Sequence, residues 1–290
     1  MIFGGKTAQA RTVLVYGNCQ APYLAQLLGE IDDLNDDYRF VAAINHAVPG
    51  EELAPVADVH FRDVALCLAQ YEKRADSPIA LALRSRLPPG CPVITFPSFV
   101  MNSFWPFDCP EPRGLPDPAY PWKRYPFGDM IGLRIAQAGL AGPLAVAAYL
   151  DHSLRKMPKL DVRLQRDIDR LHYYDARCDV KLADYVEANF RQHHLFWTEG
   201  HISQEGVVEL ARRVATAARP VLGGSAGRTE ECLAATAFAG MGNLQLPIHP
   251  MVADALGLRF WESDMAYHWY SQEWTFYEYI ERYIAFDTSW

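Results

Sequence analysis

Apolar positions come in two kinds of run along the chain, and the first kind dominates the opening hundred residues. Thr12 to Tyr16 is an unbroken apolar stretch rich in β-branched residues, which reads as a strand buried on both faces. Gly17-Asn18-Cys19-Gln20 ends it. Pro22 then suits the first turn of a helix whose buried face carries Leu24, Leu27, Leu28 and Ile31. Tyr38 to Asn45, Ala57 to Phe61 and Pro92 to Phe96 read as further strands, Asp63 to Arg74 as a helix, and Asp32 to Asp37 as an acidic loop. Strands alternating with helices imply a parallel sheet with flanking helices, and such sheets collect ligands at the carboxyl ends of their strands. Both the Gly17–Gln20 turn and the segment Pro97 to Asn102 fall on that edge.

The second kind of run has helical spacing. After a loop at 106–127 dense in proline and aromatics, Gly128 to Gly139, Pro143 to Met157 and Leu160 to His194 read as helical, the last with a break near Cys178-Asp179. Leu195 to Thr198 is strand-like, and Ser203 caps a helix buried through Val207, Leu210, Ala211 and Val214. A Gly-rich loop at Leu222 to Gly227, a helix around Glu230 to Phe238, a helix from Val252 to Leu258 and an aromatic tail from Trp261 to Trp290 complete the chain. The expected architecture is a single α/β domain over 1–290: strand-rich over 1–105, the loop at 106–127, and a mainly helical half over 128–290. The aromatic tail is expected to dock on the core or to form a homo-oligomer interface.

Composition narrows the partners. The 290 residues are half hydrophobic with a formal charge of −8, which disfavours nucleic acid as a partner because nucleic-acid binders present basic surfaces. No stretch has the length of a transmembrane segment, and the N-terminus lacks a secretory pattern, so a cytoplasmic location is expected. The six cysteines include no Cys-x-x-Cys pair, which argues against a zinc ribbon and a disulfide scaffold.

Cys19 sits between a buried strand and a helix N-terminus. Free N–H groups and the helix dipole there are expected to lower its pKa and favour the nucleophilic thiolate; a simply buried structural cysteine is the competing role. His201 follows a strand-like stretch and precedes a helix, which puts it on the same edge and makes it a candidate base. His249, also just ahead of a helix, competes with it. His193 and His194 read as a helix end, and His193, His194 and His201 lack the i, i+4 spacing of a zinc helix, so no metal is expected. Trp122-Lys123-Arg124-Tyr125 alternates cations with aromatic faces, a set suited to a ring and a phosphate.

Two blocks resemble the SGNH hydrolase layout: Gly17-Asn18-Cys19-Gln20 in the place of the nucleophile turn, and Thr198-x-x-His201-x-Ser203-x-x-Gly206 in the place of the block that delivers the base. Within that class, the turn and the segment from Phe96-Pro97-Ser98 to Ser103-Phe104-Trp105-Pro106 resemble the WcbI family of capsular polysaccharide biosynthesis proteins. The resemblance implies an SGNH-like parallel sheet and an acetyltransferase that takes its acyl group from coenzyme A and passes it to a saccharide. For that reaction Cys19 and His201 are the candidate catalytic residues, and Asn18, Gln20 and Asn102 the natural oxyanion or positioning groups; coenzyme A needs local cations in an acidic chain, for which Lys123, Arg124 and Arg134 are candidates by position, with Gly17 in the turn. The chain departs from the pattern at Trp105, where a histidine is expected, and at Thr198, where an aspartate orients the base; Glu199 can substitute, or a Cys–His dyad acts alone. An esterase or deacetylase of a glycan, and a non-catalytic carbohydrate-binding protein, are the competing functions.

Overall fold

A computed structural model describes residues 1–46, 56–72, 77–114, 117, 119–237 and 240–286. In chain order the elements begin with β1 (Ile2–Gly4), β2 (Arg11–Gly17), α1 (Ala21–Gly29), α2 (Asp32–Asn35), β3 (Tyr38–Ile44), β4 (Val64–Gln70), α3 (Pro78–Arg84) and β5 (Val93–Phe96). The middle of the chain forms β6 (Asp108–Cys109), β7 (Gly128–Asp129), α4 (Met130–Gln137), α5 (Gly142–Lys156), α6 (Leu160–Asp175), α7 (Ala183–Asn189), α8 (Gln204–Leu222) and α9 (Ala226–Ala235). It closes with α10 (Pro250–Leu256), β8 (Ala266–Trp269), β9 (Gln272–Thr275) and α11 (Phe276–Ala285). The chain divides into two compact units: Met1–Val100 with Ile168–Ala188 and Gly200–Met241, and Met101–Asp167 with Asn189–Glu199 and Gly242–Trp290.

The first unit is built on one sheet of order β1-β3-β2-β4-β5. Strands β3, β2, β4 and β5 are parallel, and β1 adds an antiparallel edge. Helices α1 and α8 pack on each other and on the sheet, while the other face buries Leu14, Tyr16, Val41, Cys67 and Ala69 against Ala80 and Leu83 of α3. Cover on both faces explains why β2 reads as a continuous apolar run rather than an alternating one. Thr12, its one polar residue in the interior, is fully buried, and its hydroxyl donates to Asp63 Oδ1 at 2.9 Å.

Three expected elements differ. Val64–Gln70 is a strand and not part of a helix: all seven of its residues are buried between β2 and β5, and burial on both faces overrides the helix preference of its alanines and leucines. Residues 73 and 74 of that expected helix lie outside the described residues. Asp58–Phe61 is a short 3-10 turn, not a strand. Leu195 to Thr198 forms no strand of a sheet beyond a single β-bridge at Phe196; Leu195, Phe196 and Thr198 are buried. The acidic stretch after α1 carries the short helix α2, and the helix expected to reach Phe238 ends at Ala235, Phe238 lying outside the described residues.

In the second unit, α11 packs on α4 and α5, beside the two-stranded pairs β6-β7 and β8-β9. Tyr125, Trp269, Tyr279 and Tyr283 form one ring cluster there, so the C-terminal aromatics dock within their own unit; Trp290 lies outside the described residues. Among the described residues no helix is long and apolar enough to cross a membrane.

Candidate active site

The turn after β2 is held by amides. Gln20 is fully buried and spends its whole side chain: Nε2 donates to the Phe99 carbonyl at 2.7 Å and the Gly200 carbonyl at 2.8 Å. Its Oε1 accepts from the Phe99 N–H at 3.2 Å and from Gln70 Nε2 at 3.1 Å. Gln70, the last residue of β4, also accepts the Asn18 N–H on its Oε1 at 2.8 Å. A Cβ on Gly17 would lie 2.9 Å from the Gln70 side chain, so glycine is required for this approach. Asn18 completes the turn, accepting from the Gln20 N–H at 2.9 Å and donating to Ser98 Oγ at 3.2 Å.

Consecutive residues flank one hydrogen bond. Cys19 precedes Gln20, whose amide holds Gly200, and His201 follows Gly200. The cause of this approach is the Gln20 bridge and not the end of a strand, since Leu195 to Thr198 forms none. His201 also lies beside His46, just past the carboxyl end of β3, and burial together with that neighbour lowers its pKa to about 4. Ser203 then caps α8 by accepting the Gly206 N–H at 3.2 Å.

The expected acidification of Cys19 is overturned. The thiol is half-buried, and desolvation pushes it up to about 11, outweighing the opposite pull of its own backbone N–H. Loss of solvent therefore outweighs the helix end, although Gln20, the N-cap of α1, makes no side-chain hydrogen bond to the α1 amides. At neutral pH the site therefore holds a neutral thiol and a neutral imidazole.

His249 has no lone pair to offer as a base. Its Nδ1 accepts the Met251 N–H as the N-cap of α10, at 3.1 Å, so Nε2 carries the proton and donates to Ser153 Oγ at 2.8 Å. Ser153 donates in turn to the Leu150 carbonyl. This serine–histidine pair is a structural link between α5 and α10. His193 and His194 lie beyond the end of α7 rather than on it; His194 stacks on Phe260 with centroids 4.7 Å apart, and burial lowers its pKa to about 3. No group of His, Cys, Asp and Glu fit for a metal occurs among the described residues.

The other expected residues belong to the second unit. Asn102 donates its N–H to Asp167 at 2.9 Å and accepts Arg163 on its carbonyl at 3.1 Å. Trp105 is buried and donates Nε1 to the Leu246 carbonyl at 3.1 Å. Glu199 is exposed, and its carbonyl accepts the Met101 N–H. Lys123 takes a left-handed backbone with φ 73°, fixed by the Tyr270 hydroxyl on its carbonyl. Arg124 stands 4.9 Å from the Tyr120 ring centroid, and with Arg282, Trp274 and Phe286 it lines an open cavity of about 420 Å³. Arg134 is exposed on α4. Sequence reasoning missed Gln70 because its strand was read as helix, and missed Arg282 because nothing local marks it.

A mostly parallel sheet flanked by helices, with the Cys19 turn at its carboxyl edge tied through Gln20 to the loop that carries His201, defines an α/β protein with a candidate site on that edge. The chain belongs to the WcbI family, described as polysaccharide biosynthesis enzymes, whose profile matches residues 12–219. A solved structure described as WcbI, a novel polysaccharide biosynthesis enzyme, in its native form without a disulfide bond between coenzyme A and a cysteine, is similar to it. The TM-score is 0.66 and the identity 18%, over 95% of this chain and 89% of that one. No curated protein matches the chain.

Proposed function

We propose that this protein transfers an acetyl group from acetyl-coenzyme A to a saccharide hydroxyl, with Cys19 as nucleophile and His201 as base. The observation that carries the reading is the Gln20 bridge, which ties the residue after Cys19 to the residue before His201. Membership of a polysaccharide biosynthesis family supports a saccharide acceptor. The naming of coenzyme A together with a cysteine in the solved relative supports thiol chemistry with that donor.

The chemistry follows from two neutral groups. Cys19 Sγ attacks the thioester carbonyl as His201 takes the thiol proton, and the thiolate of coenzyme A leaves with that proton. The acetyl group now rests on Cys19 as a thioester of nearly equal energy. His201 next removes the proton of the saccharide hydroxyl as its oxygen attacks the acetyl carbon, and Cys19 departs as the thiol. The Cys19 N–H, which makes no other hydrogen bond among the described residues, serves in this reading as a donor to the tetrahedral oxyanion together with the Asn18 side chain; such a donor contributes on the order of 3 kcal/mol. Gln20 is a positioning residue, since both its N–H bonds are spent. His201 works as one half of a dyad, and its low pKa keeps it unprotonated and able to accept. Lys123, Arg124 and Arg134 are proposed for the phosphates of coenzyme A on their charge alone.

The test is acetyl-coenzyme A consumption with and without a panel of oligosaccharides and nucleotide sugars. The expected result is consumption that depends on a saccharide and yields its acetyl ester, falling at least about 100-fold in His201→Ala. Equal consumption without a saccharide identifies a hydrolase and overturns the transferase.

A further inference from the structure

Three exposed or half-exposed tyrosines stand on the same rim of the first unit as the Cys19 turn, and the chemistry above gives them no role. Tyr71 directly follows Gln70, and its N–H is fixed to the Phe96 carbonyl at 2.8 Å. Its ring lies 5.5 Å from that of Tyr174 and 6.3 Å from that of Tyr173, centroid to centroid. Tyr173 is 40% exposed, and the Arg177 guanidinium sits 3.6 Å from its ring centroid.

The contacts around this cluster close into a loop that includes the nucleophile turn. Asn18 reaches Ser98, and two residues on the Val100 carbonyl accepts Arg170 of α6 at 3.0 Å. One turn further along that helix come Tyr173 and Tyr174, at i+3 and i+4 from Arg170 and so on the same face. They meet Tyr71, and Tyr71 returns through Gln70 to Asn18. The end of α6 is anchored independently, because Asp179 accepts both the Thr95 N–H and the Thr95 hydroxyl, at 2.8 and 2.7 Å. The aromatic shelf is thereby fixed to the ends of β4 and β5, the strands beside the turn.

We infer that Tyr71, Tyr173 and Tyr174, with Arg177, form a subsite for a pyranose unit of the acceptor saccharide. Phenol rings offer flat C–H-binding faces with hydroxyls at their rims, and a guanidinium adds donors for ring hydroxyls or a sugar carboxylate; aliphatic side chains, which a lipid would need, are missing from the set. The inference rests on the proposed saccharide acceptor and names where on this unit that acceptor lies.

Saturation-transfer NMR with maltotetraose and tetragalacturonate, one neutral and one acidic, tests it on the full chain. At least one is expected to receive saturation on its ring protons, with binding weakened roughly 5- to 10-fold in the Tyr71→Ala/Tyr173→Ala pair, the size of one lost aromatic contact, and kept in Tyr173→Phe. Coenzyme A binding, measured by calorimetry, is expected to stay unchanged in all three proteins. Absence of transfer to either saccharide, or equal transfer in the paired variant, overturns the subsite. Tyrosine-dependent saccharide binding in a protein that consumes no acetyl-coenzyme A instead retains the subsite and overturns the acyl-transfer reading.

Discussion

Cys19 and Gln20 occupy adjacent positions with opposite environments: one side chain keeps its functional group uncommitted, the other has every polar atom engaged. Gln20 shares its four hydrogen bonds among the turn's neighbours on β4, the loop after β5 and the loop before α8, and burial removes water as a substitute for any of them. Cys19 is made unreactive at rest by that same burial. A folded-state pKa near 11 means the protonated thiol is the favoured form throughout the neutral range, and the thiolate fraction rises about tenfold per pH unit up to that value. Alkylation of Cys19 by iodoacetamide, followed by peptide mass spectrometry, is therefore expected to climb steadily from pH 7 to 10. A plateau near pH 8 to 9, where an ordinary thiol has ionised, would contradict the desolvated site.

At the scale of elements, the loop before β7 is tied to α11 by a buried ion pair. Arg113 and Glu111 are both sealed from solvent; Arg113 donates to both Glu111 oxygens and to the carbonyls of Tyr283 and Phe286, and the Tyr283 hydroxyl donates to Glu111. Removing the carboxylate leaves a guanidinium without its counter-charge in a dry site. Glu111→Ala is expected to cost about 3–5 kcal/mol in chemical denaturation; a loss below ~1 kcal/mol would show that water reaches the pair. Nothing in Glu111-Pro112-Arg113 announces this from the sequence, because its partners lie about 170 residues away in α11. β2, α1 and α8 were legible for the converse reason: their signals, an apolar run, Pro22 in the first turn and the Ser203 cap, are local. β4 was not, since Val-Ala-Leu-Cys-Leu-Ala-Gln carries helix-forming residues and becomes a strand only by lying between β2 and β5. That error also hid Gln70 and Tyr71, which a strand assignment would have placed on the edge with Cys19. The turn and His201 were readable as candidates, but the bond that joins their loops depends on a glutamine reaching a carbonyl 180 residues away.

For the molecule as a whole, the first unit supplies the parallel sheet, and with it a carboxyl edge where loops of distant sequence converge. The proposed transfer needs no pre-formed ion: a neutral imidazole below its usual pKa and a neutral thiol above its own would exchange a proton only as the thioester is attacked. The account stands on whether acetyl passes through Cys19. Rapid mixing with acetyl-coenzyme A in the absence of saccharide, followed by intact-protein and peptide mass spectrometry, reads this directly. An acetyl adduct confined to Cys19, absent in Cys19→Ala and formed at least about 100-fold more slowly in His201→Ala, is the predicted result. Full turnover onto a saccharide by Cys19→Ala, or adduct formation indifferent to His201, would contradict it.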